Sequence, residues 1–145
     1  MHTVEAILKT KPERPVFSIK EDATVLEAAN LMNAHRIGAL VVLRNEEIVG
    51  IFTERDLLNR VVAAEKDSRS VRIRDVMTKP IACCTLATTR EECRSVMRHK
   101  RIRHLPVVED GNLIGMISIG DLLADAEAEQ QETILYLHEY LYGER

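Results

Sequence analysis

Tryptophan is absent from this 145-residue chain, and the few phenylalanines and tyrosines bring its aromatic share to only 3%. The core must therefore be aliphatic, and platforms on which successive nucleic-acid bases could stack are scarce. Long apolar runs are missing too. The longest uncharged apolar stretch, Ile37 to Leu43, is seven residues with a glycine in it, against the roughly 20 needed to span a bilayer. Residues 1–19 interleave Lys9, Lys11, Glu13 and Arg14 with apolar positions, so no apolar leader segment with a small-residue cleavage site can be drawn. A soluble, cytoplasmic protein is the expectation. Nor is there an excess of one charge: 20 basic and 23 acidic residues give a formal −3, which excludes bulk attraction to nucleic acid or anionic membrane. The three cysteines, Cys83, Cys84 and Cys93, are odd in number, and the adjacent pair could close only a strained ring. They show neither metal-ligand spacing nor a nucleophile signature, and are read as small buried hydrophobes.

What the chain does have is enough apolar material, 46%, to bury about two thirds of its unfolded surface in one compact unit. It also repeats. Sliding the sequence on itself gives a gapless match at an offset of 65 residues, with Thr24/Thr89, Glu27/Glu92, Met32/Met97, Arg36/Arg101, Ile37/Ile102, Leu40/Leu105, Val42/Val107, Gly50/Gly115 and Asp56/Asp121 among the identities. Repeats are placed at 7–62 and 73–127, followed by a helical tail at 128–145. Each copy is small for independent stability, so the two are expected to share a core about a pseudo-twofold axis, with any site lying between them.

Each copy reads strand, helix, strand, strand, helix. Thr24 to Glu27 and Thr89 to Glu92 have the form of a capping box and open helices. Gly38 to Leu43 and His104 to Val108 read as short buried strands, and the polar turns at Asn45 and Asp110 lead into second strands at 48–52 and 113–117. A last helix begins near Asp56 and Asp121. From Asp125 to Tyr142 a charged helix carries Ile134, Leu137 and Leu141 on one side.

Two constellations carry a functional reading. Thr53 with Asp56, and Ser118 with Asp121, set a hydroxyl and a carboxylate one helical turn apart at the end of the last strand of each copy. Such a carboxylate can accept hydrogen bonds from a ribose diol while nearby amides and the hydroxyl meet phosphate. The same spacing is also that of an ordinary helix cap. The second constellation is basic: Arg98, Lys100, Arg101 and Arg103 cluster with His104 just before a buried strand. Arg103 can meet phosphate by paired hydrogen bonds, whereas copy one has Gly38 and Ala39 at the corresponding places.

Asp75 to Thr78, Arg36 to Leu40, Arg101 to Val107, Thr53 to Asp56 and Ser118 to Asp121 together make both copies resemble CBS domains, the cystathionine-β-synthase-type repeat, and the tandem a Bateman module. The resemblance implies an α/β (α+β) fold of two β-α-β-β-α repeats packed sheet to sheet. It further implies two clefts for an adenine nucleotide such as AMP, ATP or NAD, and assembly into a homodimer. By matched position one cleft would use Thr53 and Asp56 with Ile81, Ala82, Arg103 and His104. The other would use Ser118 and Asp121 with Val16, Phe17, Ile37, Gly38 and Ala39. The early-strand apolar residues would sandwich adenine, and Arg103 would read phosphate beside Asp56.

The function expected is a regulatory, non-catalytic nucleotide sensor that signals to a partner protein. The alternative is a structural dimerisation module without a ligand. The five histidines show no ligand spacing and no activated nucleophile is evident, so neither catalysis nor a metal is expected. Neither nucleic acid nor membrane is expected as a partner. A patch made of Leu57, Leu58, Leu122 and Leu123 is expected to be covered in the dimer.

Overall fold

The computed structural model of the chain describes residues 2–11, 16–79 and 81–142, with side chains described as far as residue 131. It divides into two compact units, one of Arg14–Ala82 and one of Met1–Glu13 together with Cys83–Arg145.

In the contiguous unit, β1 (Ser18–Lys20) runs parallel to β2 (Ala39–Arg44), which pairs antiparallel with β3 (Glu47–Thr53). The β2–β3 turn is made by Asn45 and Glu46, both at positive φ, the backbone a two-residue hairpin needs to match strand twist. Helix α2 (Val25–His35) starts where the Thr24 hydroxyl accepts the Glu27 amide, and it stops at Arg36 in the left-handed region. After β3 a single turn, α3 (Glu54–Asp56), passes into a π-helical segment, Leu57–Val62. The four-residue helix α4 (Ile73–Val76) closes the unit. Its core joins Val25, Ala28 and Met32 of α2, Leu40 and Val42 of β2, Phe52 of β3, Val61, and Ile73, Val76 and Met77. As composition requires, Phe52 is the one aromatic ring among these core residues.

The second unit repeats the plan. Helix α5 (Arg90–Lys100) has a complete capping box, Thr89 with Glu92, and ends at left-handed Arg101. Strands β4 (His104–Glu109) and β5 (Asn112–Ser118) form a hairpin through Asp110 and Gly111. Both hairpins carry a register shift at equivalent places, after Val42 and after Val107. The expected first strand of this copy is reduced to one parallel bridge, Cys84 to Val107. Helix α6 (Ile119–Tyr142) runs on without a break from the position that α3 holds in the first unit. The apolar tail positions Ile134, Leu137 and Leu141 lie outside the described side chains.

The helix preceding each copy is held by matching contacts. In the contiguous unit Thr24 bridges Arg72, and the Ile73 amide donates to Ala23 O at 2.9 Å. In the other, Thr3 bridges Thr89 and the Val4 amide donates to Thr88 O at 2.8 Å. Helix α1 (Val4–Thr10), at the start of the chain, thus completes the unit built from the end of it.

Two expectations are corrected. Leu122 is buried (2% exposed) and Leu57 packs on the core, so only Leu58 (60%) and Leu123 (58%) of the expected apolar patch face solvent. Of the cysteines, Cys84 and Cys93 are buried but Cys83 is exposed, and all three are free thiols.

Candidate functional site

Each Ser/Thr–Asp pair forms a corner where a strand turns into a helix. Thr53, extended at φ −121° and ψ 166°, is the N-cap of α3: its Oγ1 accepts the Asp56 amide at 3.2 Å, while Asp56 Oδ2 accepts the Thr53 amide at 3.0 Å. The Thr53 hydroxyl also lies 3.2 Å from Oδ2. Asp56 Oδ1 accepts a hydrogen bond of 2.9 Å from Thr78 Oγ1 and lies 3.6 Å from Arg60 Nε. With its side chain 6% exposed, Asp56 is buried and bonded at both oxygens, which meets the need of a buried carboxylate for partners.

A glycine brings Thr78 there. Thr78 and Ile51 exchange backbone hydrogen bonds of 2.8 and 3.1 Å. A Cβ on neighbouring Gly50 would stand 2.7 Å from Met77 Sδ and 2.9 Å from Thr78 O. Only a residue without a side chain admits this segment so close.

The second corner is capped alike but neutralised differently. Asp121 Oδ2 accepts the Ser118 amide at 2.8 Å, and Ser118 Oγ accepts the Asp121 amide at 3.1 Å. The cation is Lys11, just past the end of α1, whose Nζ donates to Asp121 Oδ2 at 2.8 Å and to Met116 O at 2.9 Å. Position 125, equivalent to Arg60, is here an aspartate, engaged instead by His2 at 2.9 Å and Arg90 at 2.7 Å. Each copy thus sets a cation near its corner carboxylate, but from different segments.

Strand register decides what stands beside each corner. Ala39 pairs with Thr53, and the Glu54 amide donates to Gly38 O at 3.1 Å. His104 pairs with Ser118, and the Ile119 amide donates to Arg103 O at 2.8 Å. A hairpin sets the start of one strand opposite the end of the next. Arg103 and His104 therefore adjoin Ser118 and Asp121 within one unit, and Gly38 and Ala39 adjoin Thr53 and Asp56 within the other. Glu54 lies over Gly38, its Oε1 2.6 Å from where a Cβ would be.

The remaining candidates are half-buried. Ile37 packs on the core, as does Phe17, whose ring stacks on His35 with centroids 4.0 Å apart. Val16, Ile81 and Ala82 lie in irregular backbone. Lys11, Thr78 and His35 were not found by sequence reasoning. The 65-residue offset does not align α1 with α4; the correspondence shows in their matching backbone contacts and in Leu8 and Met77, which stand against the paired glycines Gly115 and Gly50. Among the described residues no group of three or more His, Cys, Asp or Glu is placed to hold a metal ion, and no helix is long and apolar enough to cross a membrane.

The CBS-domain family profile matches residues 4–63 and 73–127. The mitochondrial CBS domain-containing protein CBSX3 of Arabidopsis thaliana is 36% identical over 127 residues, 84% of this chain and 62% of that protein. Inosine-5′-monophosphate dehydrogenase of Methanocaldococcus jannaschii is 37% identical over 127 residues, 85% of this chain but 24% of the enzyme. This chain therefore spans less than two thirds of both relatives. Among solved structures, a candidate signal-transduction protein with CBS domains from Burkholderia ambifaria is similar with a TM-score of 0.84 and 40% identity, over 88% of this chain and 96% of that one.

Proposed function

Since the chain belongs to the CBS-domain family, with two repeats that take up most of its length, we propose that it is a regulatory module that binds an adenine nucleotide and catalyses no reaction itself. The observation that carries this reading is the Ser/Thr–Asp corner, formed in both copies with a hydroxyl, a carboxylate and a strand start brought together. A carboxylate so placed accepts from ribose hydroxyls, and a basic strand start such as Arg103 meets phosphate. The ligand class is that of AMP, ATP and NAD, which share the adenosine these groups would read. The likeness to the dehydrogenase supports a regulatory role, since it reaches only 24% of that enzyme. Occupancy would be passed to a partner protein or through a second copy of the chain.

Thermal melting with AMP, ADP, ATP, NAD, adenosine and GMP tests the proposal. A ligand of the folded state at about 100 times its Kd stabilises by about 2.7 kcal/mol, or about 5–10 °C for a chain of this size. The adenine compounds should raise Tm and GMP should do less. A melting curve unmoved by all of them at millimolar concentration overturns the sensor reading and leaves the structural alternative, in which both aspartates serve only as caps.

A further inference from the structure

We infer that the exposed flank of α5 is a docking surface for an acidic segment of a partner protein, carried by Arg94 and Arg98 with Lys100 and Arg101 at the end of the helix. Charge is distributed unevenly along the chain. Residues 93–108 include five Arg or Lys and two His but no Asp or Glu, in a chain whose formal charge is −3. Arg94, Arg98, Lys100 and Arg101 are all exposed. Arg90, one turn before Arg94, is spent on Asp125 and Glu129. The acids at the head of the helix are engaged as well: Glu91 lies 3.4 Å from Arg90, and Glu92 accepts the Thr89 amide. Among the described residues the side chains of Arg94, Arg98 and Lys100 have neither an ion pair nor a hydrogen bond.

The fold does not require these cations. Helix α2 is the counterpart in the other copy, with the same 11 residues, the same threonine cap and the same left-handed arginine at its end. It has Ala29 where α5 has Arg94, and Asn33 where α5 has Arg98. Cations in a last helical turn meet the negative end of the helix dipole, which accounts for Arg98, Lys100 and Arg101. Arg94 is in the second turn, out of reach of that end. Its spacing of four from Arg98 also sets two like charges side by side, which weakens a helix.

The stripe from Arg94 through Arg98 to Arg101 covers about 10 Å of helix. Guanidinium forks take carboxylates by paired hydrogen bonds. A short segment with Asp or Glu at about one-turn spacing in a helix, or at every second residue of an extended strand, therefore fits it. A nucleic acid fits less well, since its backbone would run past the stripe onto a chain that is otherwise more acidic than the −3 of the whole. Arg103, whose carbonyl accepts the Ile119 amide beside the Ser118 corner, is not counted in the stripe, so this surface does not depend on a nucleotide.

Fluorescence anisotropy in the absence of nucleotide tests the surface, with a labelled peptide of alternating glutamate and alanine, its lysine–alanine counterpart and a short DNA duplex. Three double variants are compared. Arg94→Ala with Arg98→Asn installs the residues of α2, Arg94→Lys with Arg98→Lys keeps the charge without the forks, and Lys20→Ala with Arg74→Ala removes two exposed cations of the other unit. The glutamate peptide should bind the wild type and the lysine peptide should not, and added salt should weaken the binding. The α2-like variant should bind the glutamate peptide about 5-fold more weakly or worse, as the loss of two exposed ion pairs implies. The lysine variant should fall between it and the wild type, and the Lys20 and Arg74 variant should bind as the wild type does. Thermal melting should find the α2-like variant at least as stable as the wild type, because a like-charge pair is gone. The docking surface is overturned if the wild type does not bind the glutamate peptide, if the duplex binds as tightly, or if the α2-like variant and the Lys20 and Arg74 variant lose affinity alike or not at all. It is also overturned by a salt-sensitive dimer that the α2-like variant breaks, which would assign the stripe to a second copy of the chain.

Discussion

The three thiols show how much a single residue's surroundings decide. Cys84 and Cys93 are buried side by side, and Cys84 Sγ also approaches Pro106 O at 3.6 Å. The hydrogen bond with Cys93, followed by burial, pushes the Cys84 thiol far above its ordinary range, and burial alone raises Cys83 by less. A thiol must be reachable to react, and Cys93 is fully buried and Cys84 nearly so while Cys83 is exposed, so one thiol per chain should react with a disulfide reagent in the native protein at pH 8, and three after denaturation. Cys83→Ser should remove the native reaction, and two or more reactive native thiols would contradict this assignment. Reading all three as buried hydrophobes succeeded where periodicity or strand contact supplied a direction, on α5 and at the Cys84 bridge. It failed at Cys83, in an irregular stretch where spacing does not tell inside from outside.

At the scale of elements the repeat made much of the fold legible. Helices α2 and α5 begin at the threonines expected of them, because the cap chemistry is local and the same in both copies. The π-helical turn after Asp56, set against unbroken α6 at the same offset, was not legible. Gly50 and Gly115 were indistinguishable in sequence, yet their neighbours differ. A methyl at Gly50 would meet the Thr78 carbonyl at 2.9 Å, whereas one at Gly115 would meet Leu8 methyls at 3.3 and 3.4 Å. Backbone in a paired segment cannot yield as a leucine rotamer can. Gly50→Ala should therefore cost about 1–3 kcal/mol, as overpacking usually does, and Gly115→Ala less, a contrast that urea unfolding can measure. Equal losses would mean that α1 is held as stiffly as the Thr78 segment. Lys11 and Thr78 were illegible for a related reason: they reach the corners from segments whose spacing the 65-residue offset does not preserve.

For the molecule as a whole, the long α6 is fastened by an ionic cluster around Arg90, in addition to the Lys11–Asp121 pair at its first turn. Arg90, 11% exposed, donates to Asp125 at 2.7 Å and pairs with Glu129 at 2.8 Å, while His2 reaches Asp125 at 2.9 Å. The hydrogen bonds to Glu129 and then Asp125 hold the Arg90 guanidinium further above its already high pKa, so Arg90 keeps its charge at any pH the fold survives. Arg90→Met leaves two carboxylates without it and should cost about 1.5–3 kcal/mol, the range for hydrogen bonds to charged groups. Hydrogen exchange should rise first in residues 2–10 and 119–129. Unchanged protection there would show that apolar packing alone holds the helix. The cluster was not legible in the sequence, since it unites residues 2, 90, 125 and 129, which no short-range pattern connects.

The placement of α1 also sets an order in time. A ribosome delivers residues 14–82 as one continuous stretch, so that unit can close while the rest of the chain is still being made. The other unit cannot: its first helix is made before residues 14–82 and has to wait for the threonine, glycine and aspartate that will hold it, Thr89, Gly115 and Asp121. During that interval Val4 and Ile7, both buried in the finished protein, have no strands to cover them, and the nascent chain carries an apolar helix open to chaperones or to the wrong neighbour.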